Sequence, residues 1–147
     1  MELDRCVLDT SVGIKLCVQE PLSDAAESLI ATMAEKPHTR QYVPDLFFVE
    51  CANVLWKYVI RYGYSRKDAT QSLLDLYSLD LVPIPTQTVV PVALEIAVDL
   101  SISVYDACYV ATSDLVDAPL VTADKRLANK LQGTNHKVLY LGEVAGC

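Results

Sequence analysis

Several patterns that mark common functional sites are missing from this sequence. The five cysteines are scattered, with no Cys-x-x-Cys pair, and the two histidines have no cysteine at ligand spacing, which argues against a zinc site. No Gly-x-Gly-x-x-Gly follows the first apolar run, where residues 9–13 read Asp-Thr-Ser-Val-Gly, so a dinucleotide-binding fold is not expected. No apolar segment approaches the ~20 residues of a membrane helix.

Positive charge is also scarce. The chain carries 12 Lys and Arg against 19 Asp and Glu, a net charge of −7, so its overall field does not attract nucleic acid. Any polyanionic substrate therefore needs a local basic patch, or cations held by the acidic groups. Residues 1–5 are charged and precede only a short apolar run, unlike a signal peptide. We expect a cytoplasmic protein with no membrane segment, whose cysteines are reduced and buried, with Cys147 exposed at the terminus.

Length and apolar content favour a single globular domain. The 147 residues, 52% of them apolar, suffice for one well-filled core, so one domain is expected over 1–147. Short apolar runs alternate with helical patterns, which predicts an α/β sandwich with a mainly parallel central sheet. The run Cys6–Leu8 is fully apolar, as in a central parallel strand. The prolines within residues 81–85 indicate an edge strand or an early termination.

Capping residues and prolines set the expected helix boundaries. Pro21 suits a first helical position, and Asp45 is expected to cap the longest helix. A later helix is expected to begin at Thr88, with Pro91 tolerated in its first turn. After the last predicted strand, residues 142–147 are expected to form a short tail.

Four acidic residues fall where the elements of such a sheet begin or end. Asp9 follows the first strand and Asp124 the fourth, while Glu50 and Asp106 lie in the opening turns of helices. Because ligands bind at the carboxyl ends of parallel strands, these acids can converge on one site. Their repulsion raises pKa values unless a cation neutralises it, and carboxylate oxygens suit Mg²⁺ or Mn²⁺. Such ions activate water for phosphodiester displacement, which needs no Ser, Cys or His nucleophile.

Structural interpretations of the same residues stay open. Asp is a favoured helix N-cap, and this preference alone can account for Asp106 or for Asp124. A glutamate in an early helical turn, such as Glu50, is stabilised by the helix dipole. Lys15 either approaches a phosphate or lies solvated at the surface.

Four segments resemble the successive motifs of the PIN-domain family, in the right order and at typical spacing over nearly the whole chain. They are Val7-Leu8-Asp9-Thr10-Ser11, VPDLFFVECANVL from Val43 to Leu55, YDACYVA from Tyr105 to Ala111, and LVTADKRL from Leu120 to Leu127. Within the family they are most similar to VapC-like toxin ribonucleases. Each motif alone is weak, and the four together are specific.

This resemblance implies a three-layer α/β/α sandwich and an endoribonuclease that depends on Mg²⁺ or Mn²⁺. It further implies a homodimer, and a cognate antitoxin protein that holds the enzyme inactive. Carried over motif by motif, the acidic metal and catalytic site would be Asp9, Glu50, Asp106 and Asp124. The polar helpers that orient water or carboxylates would be Thr10 or Ser11, Asn53 and Thr122.

A local basic patch can offset the acidic balance of the chain. Four cations follow the second motif and can hold RNA phosphates: Lys57, Arg61, Arg66 and Lys67. Interleaved tyrosines can stack on unpaired bases, as RNA recognition often requires: Tyr58, Tyr62 and Tyr64. The alternative is a helical hairpin whose amphipathic side chains reach solvent, with Trp56 or the tyrosines serving a protein partner.

Other functional classes are weighed against this one. The runner-up is a PIN-fold interaction or scaffold protein with weak or no nuclease activity, although the presence of all four acids argues against it. A haloacid dehalogenase-type phosphatase needs a second Asp two residues after Asp9, where the chain has Ser11. A phospho-receiver domain needs paired acids near its start and a lysine after a late strand, and Lys125 directly after Asp124 does not fit.

Overall fold

A computed structural model describes residues 3–144, with a five-stranded parallel sheet at its centre. In chain order the elements are β1 (Arg5–Leu8), α1 (Thr10–Gly13), a 3-10 turn (Ile14–Leu16), α2 (Ser23–Ala34), β2 (Arg40–Pro44), α3 (Leu46–Tyr62), α4 (Arg66–Tyr77), β3 (Leu81–Ile84), α5 (Thr86–Leu100), α6 (Val104–Val116), β4 (Leu120–Thr122), α7 (Lys125–Leu131), β5 (Val138–Tyr140) and α8 (Leu141–Val144). Helices flank the sheet, which confirms the predicted α/β/α sandwich.

The strand order is β3-β2-β1-β4-β5, so β1 occupies the middle. Val7 of β1 lies opposite Tyr42 of β2 on one side and Leu120 of β4 on the other. The apolar residues of β1 suit this position, because Cys6 and Val7 are fully buried and offer no polar side chain to solvent. β3 forms one edge of the sheet, as the prolines predicted.

The order of the strands creates a crevice between β1 and β4. The chain moves outward from β1 through β2 to β3, then returns through α5 and α6 to start β4 on the other side of β1. At such a reversal the connections leave in opposite directions and open a ligand site beyond the carboxyl ends of the strands. Asp9 follows β1 at this point, and its backbone N–H donates to the carbonyl of Val121 in β4 at 3.1 Å.

Close helix packing brings distant segments to the same crevice. Gly13 of α1 lies so near α3 that an added Cβ would be 2.5 Å from Cζ of the fully buried Phe47. α6 is buried from Ala107 to Ser113 between the sheet and α5. Within residues 3–144 no single helix is long and apolar enough to cross a membrane. Taken together, α5 and α6 have the required length and hydropathy, but the two helices are bent by 115° at their junction.

Two helices begin at other residues than the sequence predicts. α2 starts at Ser23 instead of Pro21, because the buried Ser23 hydroxyl first closes a loop: it donates to the Val18 carbonyl at 3.1 Å and accepts from the Glu20 N–H at 3.0 Å. α5 starts at Thr86, two residues before Thr88, so Pro91 is its sixth residue and lies beyond the first turn.

The chain around Asp45 also differs from the prediction. Asp45 does precede α3, but its carboxylate accepts no capping hydrogen bond from that helix. Its Oδ1 instead accepts from the backbone N–H of Thr86 at 2.9 Å and from the Thr86 hydroxyl at 2.5 Å, which ties the start of α3 to the start of α5. The predicted tail begins as the short helix α8, and residues 145–147, including Cys147, lie outside the described part of the chain.

Four of the five cysteines are described, and all four are free thiols. Cys6, Cys51 and Cys108 are buried, as expected, whereas Cys17 is half-buried. The Cys17 thiol contacts the carbonyl of Ser72 at 3.8 Å, at the junction of the 3-10 turn with α4.

Candidate active site

Asp9 is held in the crevice by hydroxyl groups from both of its walls. It is 5% exposed. Its Oδ2 accepts from the Ser11 hydroxyl and from the Thr122 hydroxyl, each at 2.7 Å. Those hydroxyls are fixed in turn by backbone groups after β4, since Ser11 Oγ accepts from the Ala123 N–H at 2.9 Å and Thr122 Oγ1 from the Asp124 N–H at 3.0 Å. The orientation of the Asp9 carboxylate is therefore set by the contact between β1 and β4.

Glu50 is held in the same way by hydroxyls of two helices. It is the fifth residue of α3 and is half-buried. Its Oε1 accepts from the Tyr109 hydroxyl at 2.7 Å and from the Thr10 hydroxyl at 3.2 Å, and those two hydroxyls also contact each other. Since Thr10 belongs to α1 and Tyr109 to α6, this carboxylate links three helices.

Tyr109 is a site residue that the predicted set does not contain. Only 1% of it is exposed, and its hydroxyl reaches the acid cluster through Glu50. One signal was present in the sequence: Tyr109 lies three residues after Asp106, so the two share a helix face. A buried tyrosine also requires a hydrogen-bond partner, which a run of small apolar neighbours does not supply.

Asp106 and Asp124 are positioned by helix starts. Ser103 is the N-cap of α6 and accepts from the Asp106 N–H at 3.0 Å, so Asp106 is the third helical residue and the cap interpretation is wrong for it. Asp124 is the N-cap of α7, where its Oδ1 accepts from the N–H groups of Arg126 at 2.9 Å and Leu127 at 3.2 Å. The cap interpretation is therefore correct for Asp124, but it occupies only one carboxylate oxygen.

Mutual repulsion and burial raise the pKa values of three of these acids. Burial raises the pKa of Asp9 from 3.8 to about 6, the Ser11 and Thr122 hydroxyls oppose this shift, and the charges of Asp106 and Glu50 add to it. The pKa of Glu50 is raised by burial and by Asp106, while the Tyr109 and Thr10 hydroxyls lower it. The pKa of Asp106 is raised by burial and by Asp124, against the Ser103 hydroxyl and Arg126. The four acids are therefore electrostatic neighbours.

Three of the acids keep one oxygen without a hydrogen bond from residues 3–144: Asp9 Oδ1, Glu50 Oε2 and Asp124 Oδ2. Because every fully buried side-chain N or O atom in the described chain has a partner, these three oxygens are not fully buried and remain accessible to a ligand. No three His, Cys, Asp or Glu side chains within residues 3–144 are already spaced as metal ligands. Carboxylate oxygens are the ligands that hard divalent cations prefer, and these carboxylates would have to move towards one another to bind the same cation.

The other predicted helpers and cations lie apart from this cluster. Asn53 is exposed on α3 and forms no side-chain hydrogen bond within the described chain. The four predicted RNA-binding cations are all exposed. They lie in the C-terminal half of α3 and in the first turn of α4: Lys57, Arg61, Arg66 and Lys67. Lys15 is not a solvated lysine, because its Nζ pairs with Glu20 Oε1 at 2.9 Å and only 11% of its side chain is exposed.

The interleaved tyrosines differ from one another. Tyr62 is 73% exposed and free to contact a base. The hydroxyl of Tyr58 donates to Glu20 Oε2 at 2.7 Å, and that of Tyr64 to the Cys17 carbonyl at 3.2 Å, so both fasten the α3–α4 hairpin to the loop before α2. Only one of the three predicted stacking side chains is therefore presented to solvent.

Residues 6–130 match the family model described as PIN domain. Ribonuclease VapC3 of Pyrobaculum aerophilum is 32% identical over 129 residues, which cover 86% of this chain and 94% of that protein. The crystal structure of PAE2754 from Pyrobaculum aerophilum superposes with a TM-score of 0.68 at 20% identity, covering 99% of this chain and 96% of that one. A toxin–antitoxin complex from Klebsiella pneumoniae gives 0.64 at 15% identity, covering 92% and 97%. These two structures share the fold described above.

Proposed function

Because this chain belongs to the PIN-domain family, we propose that it is a divalent-metal-dependent endoribonuclease that hydrolyses RNA phosphodiester bonds. The observation that carries this proposal is the position of Asp9 between β1 and β4 at the switch point of the sheet, with Glu50 and Asp106 near enough for their charges to raise its pKa. The 32% identical relative is named a ribonuclease, which supports the substrate class. We further propose that residues 1–147 form one such domain.

The metal would be held by oxygens that the protein leaves unbonded. Asp9 Oδ1, Glu50 Oε2, Asp124 Oδ2 and the Asp106 carboxylate are the proposed ligands, and Mg²⁺ or Mn²⁺ suits this all-oxygen set. When bound, such an ion lowers the pKa of a water molecule and neutralises charge that develops on the phosphate. A cation there also offsets the repulsion that raises the pKa values of these acids.

The surrounding side chains act by orienting the carboxylates. Ser11 and Thr122 hold one oxygen of Asp9, which leaves the other without a hydrogen-bond partner from residues 3–144. Thr10 and Tyr109 do the same for Glu50. Partners of metal-binding carboxylates of this kind affect metal affinity or activity by about 10- to 100-fold.

Water is the proposed nucleophile, because the nearby thiols are protonated. Cys51 is the neighbour of Glu50 in α3, and burial together with nearby negative charge raises its pKa far above neutral. Burial and the charge of Glu50 also raise the pKa of Cys108. A thiol held in this form is a poor nucleophile.

We propose that Lys57, Arg61, Arg66 and Lys67 contact RNA phosphates at a distance from the acids. Their exposure supports this role, and Tyr62 is placed to stack on a base among them. Lys57 lies seven residues after Glu50, or about 10 Å along the helix axis at 1.5 Å per residue. These cations would therefore bind nucleotides beside the cleaved bond.

We also propose that the protein binds a cognate antitoxin, forms a homodimer and is located in the cytoplasm. A toxin–antitoxin complex among the structural neighbours supports the first. Two exposed apolar stripes support protein contacts: Val49, Trp56 and Ile60 on α3, and Val90, Leu94 and Val98 on α5. The four free thiols are those of a protein in a reducing compartment.

The test is cleavage of a mixed single-stranded RNA pool by the full chain, with Mg²⁺, with Mn²⁺ and with EDTA. Asp9→Asn is prepared beside it, and Asp99→Asn, which alters an exposed acid on α5, serves as the matched control. We expect metal-dependent cutting by the wild type and by Asp99→Asn, and none by Asp9→Asn. Equal cutting by all three would eliminate the acid site. Absence of both cutting and calorimetric Mn²⁺ binding would favour the scaffold alternative.

A further inference from the structure

A cavity of about 290 Å³ adjoins the acid cluster at Asp106, and none of its lining residues belongs to α3. Its wall includes Asp106, Ser103 at the start of α6, and two cations of α7, Arg126 and Lys130. The cations are four residues apart on one helix, so they lie on the same face. In a chain of net charge −7, this cavity therefore combines an acid of the proposed site with two positive charges.

The two cations are held differently. Lys130 Nζ donates to the carbonyls of Ser101 at 2.9 Å and Leu100 at 3.3 Å, which fixes its position at the end of α5. The Arg126 guanidinium has no hydrogen bond and no ion pair with any residue of the described chain, and only its backbone N–H is used, by Asp124. Its five N–H donors are therefore available to a ligand.

Arg126 is close enough to Asp106 to lower the pKa of that carboxyl, yet the two form no ion pair within 4.0 Å. A guanidinium whose role was to neutralise Asp106 would be expected to approach it in a forked pair. Planar guanidinium donors match the oxygens of a phosphate equally well. The wall of the cavity therefore presents an unpaired guanidinium and the Lys130 ammonium beside Asp106.

We propose that Arg126, with Lys130 behind it, binds a phosphate of the RNA strand adjacent to the one that is cut. This subsite rests on the proposed function and extends it, because it gives the substrate a second anchor on the α7 side of the acids. The first anchor is the group of cations on α3 and α4. RNA would then cross the switch point with phosphates held on both sides of the cleaved bond.

The test is binding of a labelled single-stranded RNA oligonucleotide, followed by fluorescence anisotropy at several salt concentrations in Mn²⁺. Asp9→Asn is the background, so that the RNA stays intact, and Arg126→Ala, Arg126→Lys and Lys125→Ala are made in it. We expect Arg126→Ala to weaken binding about tenfold at low salt, as loss of a charged hydrogen-bonding group implies. The salt slope should fall by about 0.7, the value for one phosphate contact on a single strand. Arg126→Lys should recover part of both effects.

Lys125→Ala removes an equal charge from the neighbouring exposed position of α7 and is expected to change binding less than twofold. If Lys125→Ala and Arg126→Ala weaken binding equally, the overall field is responsible and the subsite is wrong. Absence of RNA binding by the background protein would also overturn it. Cleavage by the Asp9→Asn background would instead contradict the proposed acid site, and the same anisotropy comparison in EDTA would then decide the subsite.

Discussion

The two halves of the acid cluster are held by different parts of the structure. Asp9 and Glu50 accept hydrogen bonds from side-chain hydroxyls that are distant in sequence, such as Thr122 and Tyr109. Asp106 and Asp124 are held by the first turns of α6 and α7, through hydrogen bonds that span two or three residues. One half therefore depends on tertiary packing, and the other on local helix capping.

The two halves also differ in how well the protein solvates their negative charge. Asp9 is buried and Glu50 is half-buried, and side-chain hydroxyls orient one oxygen of each, but the charge that these carboxylates carry is poorly solvated. The Asp106 half faces a cavity and a free guanidinium, so its charge is better tolerated. Changes in the hydroxyls that hold the first half are expected to affect metal binding, and changes in the caps that hold the second half are expected to affect mainly helix stability.

The largest expected effect on stability comes from Asp9. Its pKa is 3.8 when unfolded and about 6 when folded, so between these values the folded protein holds a proton that the unfolded chain has released. Raising the pH from about 4 to about 7 in EDTA should therefore cost about 2 kcal/mol of unfolding free energy through Asp9. Glu50 and Asp106, whose pKa values are also raised, act in the same direction.

Urea denaturation at several pH values in EDTA measures this effect, and the difference between wild type and Asp9→Asn isolates one carboxyl. Asp9→Asn should be the more stable of the two at pH 7, and the gap should close near pH 4. Addition of Mn²⁺ should stabilise the wild type alone. Parallel pH profiles for the two proteins would show that Asp9 titrates as an ordinary surface carboxyl.

The next largest effect is expected at Tyr109. Tyr109→Phe keeps the buried ring but removes the hydroxyl that orients Glu50 Oε1. We expect Mn²⁺ affinity, measured by calorimetry, to fall about 10-fold or more, in the range found for partners of metal ligands. Tyr105→Phe, at a 66% exposed position of the same helix, is the control. If both variants bind Mn²⁺ equally well, the hydroxyl has no orienting role.

The same contrast explains what the sequence can reveal. β1 and β4 are predictable because their apolar runs are continuous, and Asp9 and Asp124 follow from their positions after those strands. Tyr109 shares a helix face with Asp106, but its role depends on side chains of Glu50 and Thr10 that are distant in sequence, so its spacing alone does not reveal that role. A prediction from neighbouring residues alone also fails where a distant residue competes for the same hydrogen bond. Asp45 was expected to cap α3, but its carboxylate accepts hydrogen bonds from Thr86 instead. The motif resemblance correctly identified the family.

A smaller effect is expected at the capping residue of α6. Ser103→Ala removes the acceptor of the Asp106 N–H and should cost about 1 kcal/mol of unfolding free energy, as loss of an N-cap does. Ser103→Thr, which keeps a capping oxygen, should retain most of it. Urea denaturation with Mn²⁺ affinity as a second readout checks this expectation. A loss of affinity comparable to that of Tyr109→Phe would show that the two halves of the cluster are not separable.

The smallest effect is expected at Asn53, which the motif resemblance placed among the polar helpers. Its side chain is exposed on α3 without a hydrogen-bond partner within residues 3–144, while Glu50, one turn earlier, points into the cluster. Asn53→Ala should therefore change the free energy of unfolding by no more than about 0.5 kcal/mol, as for most exposed substitutions, and leave Mn²⁺ affinity within about twofold of wild type. A tenfold loss of Mn²⁺ affinity would mean that α3 rotates or shifts when the carboxylates close on the ion. In that case the hydroxyls of Thr10 and Tyr109 would not be sufficient to hold Glu50 in place.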